Sequence, residues 1–254
     1  MGGSGFSAYA GWYLVQQNSY GDGSNSYTKI SIQEHKVLFE EGFVRILYDM
    51  NSAEITLANN RLKQYWKGSL PEAKLELNKS IETSIEEQYA QLGQQRALRM
   101  SPLIDLFDAK VLDQLADSSA RKLRILVNPI NNAEILGQDC QAYQVSLGKQ
   151  VVENLWINPK MNLNNDVDWD VYTLMLDQYY EIGNQAPYRA SKAYVDLMKQ
   201  GIVYRSMNRL GTISELISIQ EKRIEDSVFE LPADFRLVRI EELLKPETSE
   251  IIRN

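Results

Sequence analysis

The densest set of potentially reactive side chains is Asn165-Asp166-Val167-Asp168-Trp169-Asp170, with Asp177 eleven residues beyond Asp166. Asp166, Asp168, Asp170 and Asp177 would fill the first, third, fifth and twelfth positions of a calcium loop, yet Val171 stands where such a loop turns on glycine. The following residues read as helix. The competing account is that Asp166 caps that helix while its neighbours favour the positive end of the dipole. On that account no metal is bound.

One histidine restricts the remaining chemistry. A Ser-His-Asp or Cys-His relay would have to run through His35, which lies between Glu34 and Lys36 in a polar stretch at an expected strand end. A solvated histidine is the expectation. Zinc sites built from Cys and His usually need four ligands, and His35 and Cys140 are the only two residues of those types. Cys140 has no histidine or basic residue close in sequence, so it is expected to be a buried, inert thiol and no metal ligand. A lone cysteine also forms no internal disulfide and leaves the redox compartment open.

Phosphate cradles are missing too. No G-x-x-x-x-G-K-[ST] occurs, and dense glycine is confined to the leader Met1-Gly2-Gly3-Ser4-Gly5. Among 34 acidic residues no spacing singles out a hydrolytic carboxylate pair. A formal net charge of -7 disfavours nucleic acid and anionic membrane surfaces as main partners, because both would meet like charge. No uncharged apolar run of about eighteen residues exists, so an integral membrane protein is not expected. These exclusions point to a protein that is not an enzyme, with no catalytic residue and no cofactor.

Aromatic residues are what remains. Trp12, Tyr48, Tyr65, Trp66, Tyr143, Trp156 and Tyr204 all fall in or beside expected strands. Taken singly, each packs a sheet against helices. Taken together, on a sheet of about ten strands too curved for its helices to fill, they could line an apolar ligand cavity.

The elements that must position them follow from periodicity. Ile30 and Ile32, then Val44, Ile46 and Tyr48, then Ile55 and Leu57 alternate in steps of two, so each set lies on one face of a strand. Gly21-Asp22-Gly23-Ser24-Asn25 and Asp49-Met50-Asn51-Ser52 supply turn residues between them, which predicts a meander of about five or six antiparallel strands up to Trp66. Leu77, Ile81, Ile85, Tyr89 and Leu92 then recur at helical spacing, and Ser101-Pro102 opens a second helix. Strand alternation returns at Leu123, Ile125 and Val127. A further helical insertion carries Val167, Val171, Leu174, Met175 and Ile182, then Ala190, Ala193, Tyr194 and Leu197. The last strands are Ile202 to Arg205 and Ile213 to Ile224, joined by Asn208-Arg209-Leu210-Gly211. The organisation is a leader or disordered segment at 1–8, a single α+β domain over 9–245 with helical insertions at about 71–117 and 163–200, and a tail at 246–254. A signal peptide is expected to have preceded the leader.

The run from Leu136 to Val145 followed by Val151 to Ile157 reads as strand, turn and strand. If Gly137 makes the turn, Tyr143, Val145 and Leu147 share one face, while Cys140 and Ala142 share the other.

The ordered motifs Gly137-x-x-Cys140-x-x-Tyr143-x-Val145, Glu153-x-x-Trp156-Ile157, Glu215 to Glu221 and Ser227 to Phe235, which include Leu231-Pro232-Ala233-Asp234-Phe235, resemble exported bacterial domains of unknown function. Those domains are related in fold to the Lol-type (LolA/LolB-like) outer-membrane lipoprotein carriers. The resemblance implies a highly curved antiparallel sheet, a half-barrel, wrapped around helices, with a concavity that holds acyl chains in the true carriers. It also implies a periplasmic or cell-envelope location. No lipid-contacting residue is carried over by motif, and the longer helical segments could plug the concavity. The expected function is therefore binding of a lipid, lipoprotein or other hydrophobic ligand between sheet and helices. The alternative is a structural or protein-interaction module of the envelope with a filled core, whose partner is another envelope protein.

Overall fold

Period-two alternation and tight turns build most of the residues described by this computed structural model, which are 10–69, 71–73, 75–76, 125–175 and 187–244. Six strands follow one another as hairpins: β1 (Gly11–Ser19), β2 (Asn25–Gln33), β3 (Lys36–Glu41), β4 (Val44–Asp49), β5 (Glu54–Asn59) and β6 (Gln64–Ser69). Turns between them need left-handed backbone, which Gly23, Gly42, Ala53 and Lys63 adopt, as do Glu34 and His35. After residue 124 come β7 (Ile125–Ile135), β8 (Gln138–Leu147) and β9 (Gln150–Asn158), then β10 (Ile202–Asn208), β11 (Ile213–Lys222) and the short β12 (Arg236–Leu237). Leu136 and Gly137 both have positive φ in the β7–β8 turn, so Gly137 does make it.

The twelve strands of the described residues form one open sheet in the order β12-β6-β5-β4-β3-β2-β1-β11-β10-β9-β8-β7. It is antiparallel except that β12 runs parallel to β6. The long closure is β1 against β11, which joins the N-terminal meander to the second half. The strand expected at Ile125 and Val127 is β7, at one edge of the sheet, whereas the two-residue β12 at the other edge is too short to show a period and is not expected from the sequence.

Register places Trp12, Leu14, Ile30, Ile32, Val37, Phe39, Val44, Ile46, Tyr48, Ile55, Leu57 and Trp66 on one face of β1–β6. Tyr204, Leu216, Cys140 and Ile135 from the second half join the same apolar cluster. This inner face is covered by a strap, residues 161–175, by the helix Ile240–Leu244 and by Ala73. The outer face is covered in two separate places. The helix Lys192–Met198 and Tyr188 pack on Val145, Leu155 and Ile157, while Ile224 and Phe229 pack on Leu38.

Helix expectations fare unevenly. Ser191 caps the Lys192–Met198 helix by accepting from the Tyr194 N–H at 3.2 Å, and Tyr194 and Leu197 are buried as their spacing predicts. At 169–175 Met175 faces the core but Leu174 is 55% exposed, so the stripe is narrower than its sequence suggests. Ile182, Asp177 and the segment from Leu77 to Leu123 lie outside the described residues. The inner face is thus seen covered by a strap and short helical pieces, and the picture of a sheet wrapped around long helices is not carried by the described residues. Among them, no helix is long and apolar enough to cross a membrane.

Candidate functional site

The inner face is apolar over a length of several residues per strand, and polar at both ends. In the middle, the same-parity side chains of neighbouring strands stand directly opposite one another, as in Ile30 with Phe39 and Ile46 with Leu57. Such cross-strand pairs give a continuous floor. Met50, Met161 and Met175 belong to or pack against the same cluster, and their flexible thioethers fill irregular gaps.

The strap crosses one end of this floor. Its Met161 carbonyl accepts from the Ile202 N–H at 2.8 Å, and the Tyr204 hydroxyl donates to Met161 Sδ at 3.0 Å. Further on, Asp166 Oδ2 accepts from Trp12 Nε1 at 3.1 Å, and the Asp166 carbonyl accepts from the His35 N–H at 3.0 Å. Tyr172 meets Tyr48 edge-on at 6.4 Å between centroids. In a flat sheet β10 and β4 would lie five strand spacings, about 24 Å, apart, so this short strap ties distant strands together.

Asp166 and His35 both depart from expectation. The helix cap is Asp168, whose Oδ1 accepts from the N–H groups of Asp170 and Val171 at 3.1 Å each. Asp166 is buried two residues earlier, and burial pushes its carboxyl above the usual carboxylate range, with the Trp12 N–H pulling it partly back. His35 is not a freely solvated ring: its Nδ1 is buried and has no hydrogen-bond partner among the described residues. Its backbone stays in place through the Met50 N–H, which donates to the His35 carbonyl at 2.9 Å. Among the described residues, no group of three His, Cys, Asp or Glu side chains is placed to hold a metal ion.

The opposite end carries a polar network that periodicity did not reveal. Asn18 Nδ2 donates to Thr28 Oγ1 at 2.8 Å and to Ser26 Oγ at 3.3 Å, and Gln16 Nε2 donates to Asn18 Oδ1 at 2.8 Å. Glu41 accepts from Thr28 at 2.8 Å, from Tyr20 at 3.3 Å and from Asn18 at 3.4 Å. Register puts Gln16, Asn18, Ser26, Thr28 and Glu41 on the inner face. Polar alternation hid them. Asn, Thr and Glu on a strand read as its solvated side.

A second polar node sits on the outer face. Glu153, 2% exposed, accepts from Tyr188 and Tyr194 hydroxyls at 3.1 Å each and from Arg189 Nη2 at 2.7 Å. Burial pushes the Tyr188 phenol far above its ordinary range, so it stays a hydrogen-bond donor. This node locks the Pro187–Ala190 turn and the following helix to β9. Its role is packing.

Of the seven aromatic residues expected around a cavity, Trp12, Trp66 and Tyr204 lie in the inner cluster, and Tyr48 and Trp156 pack against it. Tyr65 and Tyr143 are placed elsewhere. Tyr65 neighbours Trp66 in β6 and so points to the other face, while Tyr143 packs with the outer cluster and donates to Gln200 Oε1 at 2.9 Å. Cys140 is 1% exposed in the inner cluster, opposite in facing to Val145, as strand parity requires. Burial raises its thiol above the ordinary range, and the Asp139 charge adds to this.

Residues 103–235 match the family model described as a domain of unknown function, DUF4412. The chain belongs to that family. The DUF4412 segment takes in β7–β11 and the strap, whereas β1–β6, which supply most of the floor, precede it. No curated protein matches the chain. Among solved structures, an uncharacterized conserved protein from Thermus thermophilus is similar at 8% identity and a TM-score of 0.44, over 91% of each chain. A LolA superfamily protein, NE2245 from Nitrosomonas europaea, is similar at 11% identity and a TM-score of 0.26, over 89% of this chain and 91% of that one. A structure of PNGF-II is similar at 11% identity and a TM-score of 0.39 over 90% of this chain, which spans 31% of its length. At these scores the likenesses bear on neither activity nor ligand.

Proposed function

We propose that this protein is a non-enzymatic binding module of the cell envelope, exported to the periplasm, that holds a lipid, the lipid of a lipoprotein or another hydrophobic ligand between the inner face of its sheet and the covering strap and helices. The observation that carries the reading is the continuous apolar floor across β1–β6, β11 and β10, bridged by a strap with few polar attachments. A floor of this kind matches a long apolar molecule better than a compact polar substrate. Met161 and Met175, at the two ends of the strap, could repack around a guest. The motif resemblance to lipoprotein carriers supports export and the ligand class. The proposed unit is the single domain over 9–245, and the proposed lining is Trp12, Tyr48, Trp66, Trp156 and Tyr204.

A second reading has its own observation. Val167, Met175, Ile240 and Leu243 already sit on the floor, each 7% exposed or less, as a filled core would require. The protein would then recognise another envelope protein through its surface. Denaturing extraction followed by lipid mass spectrometry, together with titration of a fluorescent fatty acid, separates the two. Co-purifying lipid or saturable binding is expected under the first reading. A ligand-free protein that binds no fatty acid would leave only the second.

A further inference from the structure

Among the described residues, Glu41 is a carboxylate that pairs with no cation. It lies on the inner face two residues from Phe39, directly across from the buried Val44. Three neutral donors hold it: the Thr28 hydroxyl at 2.8 Å, the Tyr20 hydroxyl at 3.3 Å and the Asn18 amide at 3.4 Å. Among the described residues, no lysine or arginine makes an ion pair with it, whereas its neighbour Glu40 has Arg45 at 3.9 Å on the other face. Asn18 and Thr28 are buried, at 5% and 8% exposure, so the network is a built feature rather than a loose surface.

A purely structural network would not need this charge. A glutamine could accept from Thr28 and Tyr20 equally well, so the charge of this half-buried carboxylate is what remains for a cation to meet. A carboxylate offers about four lone-pair sites, and the three donors leave one unfilled. From Trp12 to Asn18 along β1, about 20 Å of floor separates the strap end from this carboxylate end. An amphiphile lying along the strands would therefore place its tail on the aromatic floor and its head at Glu41.

We infer that the network of Glu41, Thr28, Asn18 and Tyr20 is a headgroup site, and that the ligand it selects is an amphiphile with a primary ammonium head. The inference rests on the hydrophobic-ligand reading above and narrows it. The overall negative charge of the chain, -7, favours the same choice by attracting cations.

The test uses the full chain and three single-tail probes of equal length below their micelle concentrations: dodecylammonium, dodecyl maltoside and dodecyl sulfate. Binding is followed by calorimetry for the wild type and for Glu41→Gln. We expect dodecylammonium to bind the wild type tightest and to lose about fivefold to tenfold in Glu41→Gln, with dodecyl maltoside unchanged. Added sodium chloride should weaken only the ammonium probe, a measurement that stands even if the variant folds poorly. Equal affinity for ammonium and maltoside heads, or an ammonium affinity indifferent to both salt and Glu41→Gln, would overturn the headgroup site and leave the hydrophobic-ligand reading standing. Binding of no probe would overturn both.

Discussion

Replacing Glu153 with leucine should be among the most damaging single changes outside the inner core, and the loss can be worked out partner by partner. The carboxylate accepts from two tyrosine hydroxyls and one guanidinium, at 3.1, 3.1 and 2.7 Å. Leucine accepts nothing. Arg189 has a side chain 37% exposed and can turn to water at little cost, but Tyr188 and Tyr194 are each 7% exposed. Losing this charged acceptor costs each hydroxyl about 1–3 kcal/mol. Relief from burying a charge and the added apolar contact return about 1–2 kcal/mol. At the middle of these ranges, about 4 kcal/mol lost against about 1.5 kcal/mol returned, the net loss is about 2–3 kcal/mol, or a melting temperature lowered by roughly 4–12 °C for a chain of this size. Urea unfolding followed by tryptophan fluorescence measures it, with an unchanged denaturant slope expected. The decisive comparison is Glu153→Leu combined with Tyr188→Phe and Tyr194→Phe, which removes both hydroxyl donors together with their acceptor. That triple variant should regain most of the lost stability. A Glu153→Leu protein within about 0.5 kcal/mol of wild type, or a triple variant weaker than the single one, would refute the idea that the lost tyrosine–carboxylate hydrogen bonds set the cost.

Three further outcomes are expected. Asp166 has a folded-state pKa raised mainly by burial, so its contribution favours folding while it is protonated and is lost as pH rises through that raised value. Asp166→Asn should therefore melt higher than wild type at neutral pH, and the gap should close as pH falls below the ordinary carboxylate range. A gap that widens in acid would contradict the sign. Cys140 should react slowly with a bulky thiol reagent until the protein is unfolded, because it is buried and its thiol is pushed up. Cys140→Ala should cost on the order of 1 kcal/mol in urea unfolding and leave amphiphile binding intact. Gly201 leaves no room for a side chain, since a Cβ there would lie 2.1 Å from the Asn158 carbonyl oxygen. Gly201→Ala should lose about 1–3 kcal/mol or fail to accumulate as soluble protein, and wild-type stability in that variant would show that β9 and β10 can part more easily than their pairing implies.

Local pattern determined a good part of this protein. The alternations Ile30/Ile32, Val44/Ile46/Tyr48 and Ile55/Leu57 do lie on one shared face, and the parity that set Cys140 against Val145 holds, because side-chain direction in a strand depends on nothing beyond that strand. Turn chemistry was equally legible at Gly137 and at the β10–β11 loop with Gly211. The site was less so. Trp12 and Asp166 stand 154 residues apart, and only the pairing of β1 with β11 and the path of the strap bring them into contact. Tyr65 and Trp66 look alike as adjacent aromatics until register with β5 assigns one to each face. Gln16, Asn18, Thr28 and Glu41 are polar residues at strand ends, indistinguishable by type from solvated ones. They become a network facing the apolar floor only when three strands align. Chain periodicity reports which way a side chain points relative to its neighbours, while strand order and register decide what it meets there.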